Sequence, residues 1–577
     1  MKPVRKHPNV IIILTDDQGY GDFGCLGNDT VITPHTDALY EESIHLTDFH
    51  MAPSCAPARA GLMTGRYNDR AGVWHTVGGR SILHRDEKTM GEIFKEAGYA
   101  TACFGKWHLG DNYPYRAQDR GFDEVVIHRG GGIGQAPDYW GNDYYANVFD
   151  NKGVAQRYEG YCTDVFFDLA IDFMDRHRET PFLLYLAPNA PHYPLRPPQK
   201  YLDLYPDSMP DDRARCYAML TNIDDNLQKL RDAMDTMGIA EDTILIYATD
   251  NGGEFGMTLG EGGFVVEGHN GGMRGRKCSA YEGGHRVPCF IRYPGGNLTH
   301  CRDISQLTCN MDLIPTLMEL CQIENTLGIH FDGKSLVPLL YEKEPEWPRR
   351  ALIVDSQRCV EAYKWKTSSV MKDKWRLIDG KELYDLRTDP EQRNDISAEH
   401  PEIVHELRED YESWWNDVSV RINERVPIFI GSPQENPVFL SSHDWRGSEE
   451  QCVWNQGEVR RGIYHNSYLE IFVERTGWYQ FDLYRWPKEA NLKITEGIPG
   501  KSEGFADWYH GGRALPIVRA KIEIEGQQKE IDVKPEDTCV SFRLYLQQGD
   551  TNLQTWFFDD TGESLGAYYV YVNYLEK

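Results

Sequence analysis

The segment Pro53–Arg66, PSCAPARAGLMTGR, places a thiol, a guanidinium group and a predicted helix start within one short stretch. Pro57 suits the first position of a helix, helix-forming residues follow it, and Gly65 is suited to end the helix. Cys55 then lies where free backbone N–H groups and the helix dipole favour an anion, and Arg59 lies about one turn further on. The segment therefore predicts sulfur chemistry beside an anion pocket.

Other polar side chains follow predicted buried strands. The strands, each with the side chains after it, are Asn9–Thr15 with Asp16 and Asp17, Thr101–Phe104 with Lys106 and His108, Pro181–Pro188 with His192, and Thr243–Thr249 with Asp250 and Asn251. Open α/β sheets bind ligands at the carboxyl ends of their strands, which is where Asp16 and Asp17 lie. Taken alone, adjacent Asp residues are more typical of a solvated turn, and Lys and His on a loop are commonly solvated.

Length and composition exclude several classes of protein. A chain of 577 residues predicts more than one domain. The net charge of −28 argues against nucleic acid or an anionic membrane as a general partner. Thirteen scattered cysteines indicate neither a disulfide framework nor a zinc pattern. The first apolar run is shorter than a signal-peptide core, and no stretch approaches the ~20 apolar residues of a membrane span, so we expect a soluble chain.

The motif C-x-P-A-R followed by L-M-T-G-R resembles the signature of the type I, formylglycine-dependent sulfatases of the alkaline-phosphatase-like superfamily. In that family the cysteine is converted after synthesis to formylglycine (3-oxoalanine), an aldehyde that hydrates to a geminal diol. The resemblance implies that Cys55 is the converted residue. Ala58, where many members carry serine, is a tolerated variant, and the other family motifs follow in order along the chain.

The resemblance also implies roles for the other polar residues. Asp16-Asp17 and the D-N-G-G motif at Asp250 and Asn251 match the family's metal ligands, and oxygen-only ligation favours Ca²⁺ over zinc. The G-K-W-H motif, the A-P-H motif and the segment GGMRGRKCSAYEGGHRVP match the family's sulfate-binding and proton-transferring groups. The implied catalytic residues are Cys55, Arg59, Lys106, His108, His192 and Lys277.

Substrate contacts are predicted in two places outside these motifs. The segment Gly130–Asn147 is rich in glycine and aromatic residues without a clear period, and long irregular loops in compact domains are usually functional. We expect a loop on the substrate side, and simple packing is the alternative. Its candidate sugar-binding residues are Asp138, Trp140, Asp143 and Tyr144. Arg358, in a polar DSQR cluster after a predicted strand, is a further candidate.

The predicted fold is α/β, with a large mixed sheet between helices as the resemblance to the alkaline-phosphatase and sulfatase fold implies. We predict a catalytic domain over residues 1–345, a smaller α+β subdomain over 346–422 and an all-β sandwich over 423–577. Recognisable similarity covers roughly residues 7 to 420, and alternating runs such as YLEIFVER and VSFRLYL predict the sandwich beyond it. The sandwich's aromatic residues are more typical of a core, and carbohydrate binding is the alternative.

The sequence thus predicts a calcium-dependent formylglycine sulfatase that acts in exo mode on a sulfated oligo- or polysaccharide. The implied partners are this substrate and, during maturation, a formylglycine-generating enzyme, and the resemblance suggests a periplasmic or secreted location. Two alternatives stay open. One is a phosphonate monoester or phosphodiester hydrolase of the same superfamily, and the other is a catalytically silent sulfoglycan-binding protein, which would follow if Cys55 is not converted.

Overall fold

The computed structural model describes residues 7–145, 147–342, 347–447, 452–500 and 511–575. Helices and strands are numbered here in chain order. The helices are α1 (Pro34–Glu41), α2 (Cys55–Thr64), α3 (Met90–Glu96), α4 (Cys162–Arg176), α5 (Gln199–Leu202), α6 (Asp211–Met237), α7 (Glu282–His285), α8 (Leu313–Leu320), α9 (Val337–Leu340), α10 (Pro401–Val418) and α11 (Gln456–Arg461).

A ten-stranded mixed sheet organises the first part of the chain. The strands of this part are β1 (Asn9–Thr15), β2 (Ile44–Leu46), β3 (Phe49–His50), β4 (Ala100–Lys106), β5 (Glu124–His128), β6 (Asn147–Asn151), β7 (Val154–Tyr158), β8 (Phe182–Ala187), β9 (Thr243–Thr249), β10 (Met257–Leu259), β11 (Val265–Gly268), β12 (Cys289–Arg292), β13 (Arg302–Ile304) and β14 (Thr308–Cys309). The large sheet has the order β13-β2-β12-β9-β1-β8-β4-β5-β6-β7. Its central strands β9, β1, β8, β4 and β5 are parallel, which confirms the predicted mixed α/β class.

Helices cover both faces of the large sheet. Side chains of β1 alternate between two cores: Ile12 packs in the core that contains α2 and α8, and Ile11 packs in the core that contains α4 and α6. A strand that is buried on both faces has a continuous run of β-branched residues in its sequence. For this reason, the sequence predicted the bounds of β1 correctly. Burial on both faces therefore holds in place the strand that leads directly into Asp16.

Helix α2 begins two residues earlier than the sequence predicted. Ser54 is the extended residue before the helix, Cys55 is its first residue, and Pro57 is its third. The missing N–H of a proline is tolerated throughout the first turn, because those N–H groups have no partner within the helix. Gly65 ends α2 as predicted, with a φ of 66° that favours glycine. Cys55 therefore lies at the helix start itself.

A second, four-stranded antiparallel sheet follows in the chain, and α10 packs against it. Its strands are β15 (Ala351–Asp355), β16 (Ser368–Lys372), β17 (Trp375–Ile378) and β18 (Glu382–Asp385). The buried Arg376 joins this sheet to the first part of the chain, since its Nε and Nη2 atoms each lie 2.8 Å from a carboxylate oxygen, of Glu282 and Asp48 respectively. The predicted domain limit between residues 345 and 346 falls within segment 343–346, which lies outside the described residues. All three domain ranges stay a prediction.

The last part of the chain is an all-β sandwich, as predicted. Its strands are β19 (Ile428–Ile430), β20 (Val438–Ser441), β21 (Tyr468–Val473), β22 (Gly477–Tyr484), β23 (Ile517–Ile524), β24 (Gln527–Asp532), β25 (Val540–Leu546), β26 (Gly549–Asp559), β27 (Ser564–Leu565) and β28 (Tyr569–Leu575). Two sheets, β19-β21-β26-β23-β24 and β20-β28-β22-β25, enclose its core. The same core includes Ile82 and Tyr115 from the first part of the chain, so the sandwich packs directly against that part.

Two further predictions concern membranes and disulfides. No helix within the described ranges is both long and apolar enough to cross a membrane. All thirteen cysteines are described, and none of them forms a disulfide.

Candidate active site

The carboxyl ends of the central parallel strands bring the predicted metal and anion residues to one edge of the large sheet. Strand β1 leads into Asp16, and β9, its parallel neighbour, leads into Asp250. The backbone N–H of Asp250 donates to the carbonyl of Thr15 at 3.1 Å, which extends the pairing by one residue. Because these strands are in register, the two acidic turns lie side by side.

The four predicted metal ligands form one buried oxygen-rich cluster. Asn251 donates from Nδ2 to Oδ1 of Asp17 at 2.9 Å, and the Asp17 N–H donates to Oδ1 of Asp250 at 3.2 Å. Oδ1 of Asp16 and Oδ1 of Asn251 are buried and have no hydrogen-bond partner within the described part of the chain. Buried oxygen atoms without a donor are costly unless a cation satisfies them, so this cluster fits a hard divalent ion.

Arg59 ties helix α2 to this cluster. Its side chain is fully buried, with Nη2 at 2.8 Å from Oδ2 of Asp250 and 3.7 Å from Oδ1 of Asp16. Its Nη1 donates to the carbonyl of Lys106 and to the hydroxyl of Tyr185, both at 3.1 Å. A guanidinium held by four groups has a fixed orientation, so Arg59 positions the strand ends relative to the helix start.

Two lysines place positive charge next to the same carboxylates. Lys106 Nζ lies 2.7 Å from Oδ2 of Asp16, and Lys277 Nζ lies 2.7 Å from Oδ2 of Asp17. Burial opposes ionisation of Asp17, but the charges of Lys277 and Lys106 outweigh it and hold its pKa well below the usual range. Burial likewise opposes ionisation of Lys277, yet the attraction of Asp17 and other neighbours raises its pKa. This lysine therefore carries its proton at neutral pH.

The two predicted histidines each have one ring nitrogen fixed by a backbone carbonyl. His108 donates from Nε2 to the carbonyl of Thr76 at 2.8 Å, because a carbonyl can only accept. Its Nδ1 is then unprotonated, and it is buried without a partner among the residues described. His192 donates from Nδ1 to the carbonyl of Tyr193 at 2.8 Å, which leaves Nε2 unprotonated at 3.8 Å from Oδ2 of Asp17.

Both histidines are neutral in this arrangement. Burial lowers the pKa of His192 to about 3, although the Asp17 carboxylate pulls in the opposite direction. Burial, reinforced by Lys106 and His443, holds the pKa of His108 well below its usual value. A neutral imidazole with a free nitrogen can accept a proton, so His108 can act as a base.

Cys55 lies at the centre of these groups. Its side chain is 3% exposed, and its Sγ and carboxylate oxygens of Asp16 and Asp250 all lie within 4.8 Å of one another. Burial raises the pKa of the thiol even though Lys106 and Lys277 lower it. The unmodified thiol is therefore a poor nucleophile at neutral pH, because the thiolate is the reactive form.

A pocket of about 460 Å³ opens onto Cys55. Its lining includes His108, His192 and Lys277. Several residues of this wall have left-handed backbone conformations, with φ values of 66° for Asp17, 59° for His108, 67° for Cys278 and 34° for Arg358. Non-glycine residues with such angles cost roughly 1–3 kcal/mol each and are concentrated at functional sites.

Four of the five predicted substrate-contact residues do not line this pocket. The carboxylate of Asp138 is buried and accepts from the Gly134 N–H at 3.1 Å, and the buried Tyr144 donates to the carbonyl of His192 at 2.8 Å. Trp140 packs edge-on against Trp486, with ring centroids 5.5 Å apart. Asp143 lies 3.4 Å from the guanidinium of Arg196. These four residues make contacts within the fold, and their role in substrate binding stays a prediction.

Arg358 does line the pocket, where its Nη1 lies 3.0 Å from Sγ of Cys278. Sequence reasoning missed the pocket residues Thr76, Gln135, Glu254 and Trp454. Gln135 belongs to the glycine-rich loop, residues 130–147, that the sequence analysis predicted on the substrate side. The prediction named other side chains of this loop and not Gln135. Trp454 lies in the C-terminal sandwich, and no local pattern relates it to the motifs around Cys55.

The family comparisons agree with this geometry. Residues 8–323 match the family described as Sulfatase, and residues 276–416 match the C-terminal region of N-sulphoglucosamine sulphohydrolase. The first of these matches covers the large sheet, Cys55 and the other nine predicted catalytic and metal residues. The second covers the segment of Lys277 and the four-stranded sheet, so the similarity ends close to the start of the sandwich.

Individual relatives are similar over most of the chain. Arylsulfatase J of Mus musculus is 28% identical over 469 residues, covering 69% of this chain and 74% of its own. The ulvan-active sulfatase of Formosa agariphila is 28% identical over 467 residues, covering 76% and 84%. The crystal structure of Ps i-CgsB with k-i-k-neocarrahexaose superposes with a TM-score of 0.63 at 26% identity, covering 72% of this chain and 94% of the other.

Proposed function

We propose that this chain, which belongs to the sulfatase family and is a sulfuric ester hydrolase, removes sulfate from a carbohydrate. The reaction would use a formylglycine at position 55 and a calcium site. Members of the family in general use formylglycine and a divalent metal. One observation carries the proposal. Arg59, Lys106 and Lys277 surround the Cys55 end of α2 at the same sheet edge as the three buried carboxylates.

Asp16, Asp17, Asp250 and Asn251 would hold the metal. The donor set is three carboxylates and an amide oxygen, and hard oxygen ligands suit calcium or magnesium rather than zinc. We propose calcium, because its coordination tolerates irregular geometry and a carboxylate-rich site. A bound divalent cation would supply charge neutralisation at the sulfate oxygens.

The side chains of this protein would have two further roles, which are to stabilise negative charge and to transfer protons. Lys106, Lys277 and Arg59 provide fixed positive charge around a dianionic transition state, and such preorganised charge is usually the largest catalytic contribution. A hydrated formylglycine at position 55 would supply the hydroxyl that attacks sulfur. The leaving ester oxygen would take a proton from Lys277 or His192, and we favour Lys277, because Lys277 is protonated at neutral pH whereas Nε2 of His192 is unprotonated.

His108 would act on the other side of the reaction. Its free Nδ1 can take a proton from a hydroxyl at position 55, because Nε2 is already committed to the carbonyl of Thr76. Formylglycine, when hydrated, would supply this second hydroxyl, and His108 would hold the proton taken from it, so that no water molecule would have to attack sulfur. Overall, one water molecule is consumed, and an alcohol and a sulfate ion are released.

The carbohydrate part of the proposal is supported by the relatives. One similar protein is named as active on ulvan, and one similar structure holds a neocarrahexaose. The pocket carries charged side chains, including Arg276, Arg358 and Glu254, that can bind hydroxyl and sulfate groups. We further propose exo action, a periplasmic or secreted location and maturation by a formylglycine-generating enzyme, as the family resemblance suggests.

We expect hydrolysis of sulfate esters to exceed hydrolysis of phosphonate esters by at least about 10²-fold in kcat/KM. The test compares an aryl sulfate with the matching aryl phosphonate monoester, followed by sulfate release from ulvan oligosaccharides, neocarrahexaose and N-acetylgalactosamine-6-sulfate. Faster phosphonate cleavage would move the assignment to the other hydrolase class of the superfamily. Aryl sulfate cleavage without release from any saccharide would contradict the carbohydrate proposal alone.

Removal of the metal should lower sulfate release by about 10²-fold or more, because the cation neutralises charge at the reacting oxygens. The measurement is kcat/KM after dialysis against a chelator, with the metal content determined in the same sample. Added Ca²⁺ should restore activity better than Mg²⁺ or Zn²⁺. Full activity in metal-free protein would contradict the metal site, and preferential recovery with Mg²⁺ would contradict the choice of calcium.

A further inference from the structure

The C-terminal sandwich reaches into the active-site pocket. Trp454 and Cys55 line the same cavity, although they are about 400 positions apart in the sequence. The family match that contains the catalytic motifs ends at residue 323, and the second match ends at residue 416. Trp454 is therefore a pocket residue that lies outside both matched regions.

The backbone around Trp454 is held firmly against the glycine-rich loop. Ala136 donates from its N–H to the carbonyl of Trp454 at 2.8 Å, and Gln456 donates to the carbonyl of Gly134 at 2.9 Å. Between them, Gln135 and Asn455 form an isolated antiparallel bridge. These contacts resemble a short two-stranded ladder, and such pairing fixes the direction in which the side chains point.

A second contact supports the same wall from within the sandwich. His443 has Nε2 at 3.0 Å from Oε1 of Gln135, and its backbone carbonyl accepts from the Gly78 N–H at 2.7 Å. Gly78 lies two residues after Thr76, whose carbonyl holds His108. The sandwich thus supports both the loop that carries Gln135 and the segment that orients His108.

The lining of the pocket combines charged side chains with one indole ring. Arg276, Lys277 and Arg358 contribute charged groups, whereas Trp454 contributes a half-buried indole ring. An indole offers a large flat apolar surface at a low cost in side-chain entropy. The C–H face of a pyranose ring can pack against such a surface while its hydroxyl and sulfate groups bind the charged side chains of the lining.

We propose that Trp454 is a specificity-determining residue that packs against a sugar ring of the sulfated saccharide, so that the C-terminal sandwich completes the substrate pocket. This inference rests on the proposed carbohydrate function. It assigns the sandwich a role in substrate selection at the catalytic centre, in addition to packing. The pairing of residues 134–136 with residues 454–456 would then serve to hold Trp454 beside the pocket.

The test compares Trp454→Ala and Trp454→Phe with the wild type. The substrate is whichever of the saccharides tested above (ulvan oligosaccharides, neocarrahexaose or N-acetylgalactosamine-6-sulfate) the wild type desulfates. We expect Trp454→Ala to raise KM for the saccharide by at least about tenfold with kcat changed less than about threefold, and Trp454→Phe to recover most of the loss. The inhibition constant of inorganic sulfate should stay within about twofold, because the anion pocket is unchanged. The matched control is Trp478→Ala, a 45% exposed tryptophan on the same sandwich.

Three results would overturn the inference while leaving the sulfatase assignment intact. The first is an unchanged KM in Trp454→Ala. The second is a parallel loss of sulfate-ion affinity and of thermal stability, which would indicate a purely structural role. The third is an equal effect in Trp478→Ala. If the wild type cleaves aryl sulfates but none of the saccharides, the carbohydrate proposal fails and the inference fails with it.

Discussion

Replacing Cys55 with alanine is expected to lower sulfate release by about 10⁴-fold or more, since removal of a covalent nucleophile has effects of this size. The fold should tolerate the change, because alanine is a good helix former and the lost atom is a single sulfur at the first position of α2. The measurement is kcat/KM on an aryl sulfate together with the thermal midpoint and the bound calcium. Only the activity should change.

The matched control for this substitution is Cys301→Ala. Cys301 is exposed and lies outside the pocket, so its loss should leave activity within about twofold. Comparable activity of Cys55→Ala and the wild type would contradict the nucleophile assignment. Loss of metal or of thermal stability in Cys55→Ala would instead show that the thiol has a structural role.

Replacing Arg59 with methionine should affect both stability and activity. The substitution leaves the buried carboxylate of Asp250 without its 2.8 Å partner and removes the nearby charge from Asp16. Breaking a buried ion pair on one side costs about 3–5 kcal/mol of unfolding free energy. Burial and Asp16 already raise the pKa of Asp250 to about 6, although Arg59 opposes this shift. Without Arg59, we expect Asp250 to bind a proton, which would offset part of the loss in unfolding free energy.

The same substitution should lower kcat/KM by about 10²- to 10³-fold, because a fixed positive charge is lost from the anion pocket. Denaturant unfolding and aryl sulfate kinetics measure the two effects. Arg178→Met, at an exposed arginine, is the control and should change stability by less than about 0.5 kcal/mol. If Arg59→Met matches this control in stability, the buried network around Asp250 is not the link between α2 and the strand ends.

The sequence predicted the part of the site that depends on local pattern. The strand before Asp16 is a continuous β-branched run because the large sheet is covered on both faces, and the strand before Asp250 is its parallel neighbour. Parallel neighbours end at the same sheet edge, so the two acidic turns had to meet there. The predicted start of α2 was wrong by two residues, because the extended Ser54 allows Cys55 to begin the helix.

Contacts between distant segments could not be predicted in this way. Asp138 and Tyr144 looked suited to a sugar, but their polar groups bond within the fold, and only the packed structure reveals that choice. The pairing of residue 135 with residue 455 joins segments that share no local signal. Hydrophobic alternation identified the sandwich, yet it could not show which loop of the sandwich would reach the pocket.

The formylglycine mechanism is tested most simply by the mass of the peptide that contains Cys55, determined in protein from its own host. Formylglycine at position 55 would make this residue about 18 Da lighter than cysteine, the difference between a thiol and an aldehyde side chain. The Cys301 peptide in the same digest should retain an unmodified thiol. An unmodified thiol at Cys55 in protein that still releases sulfate would contradict the formylglycine mechanism.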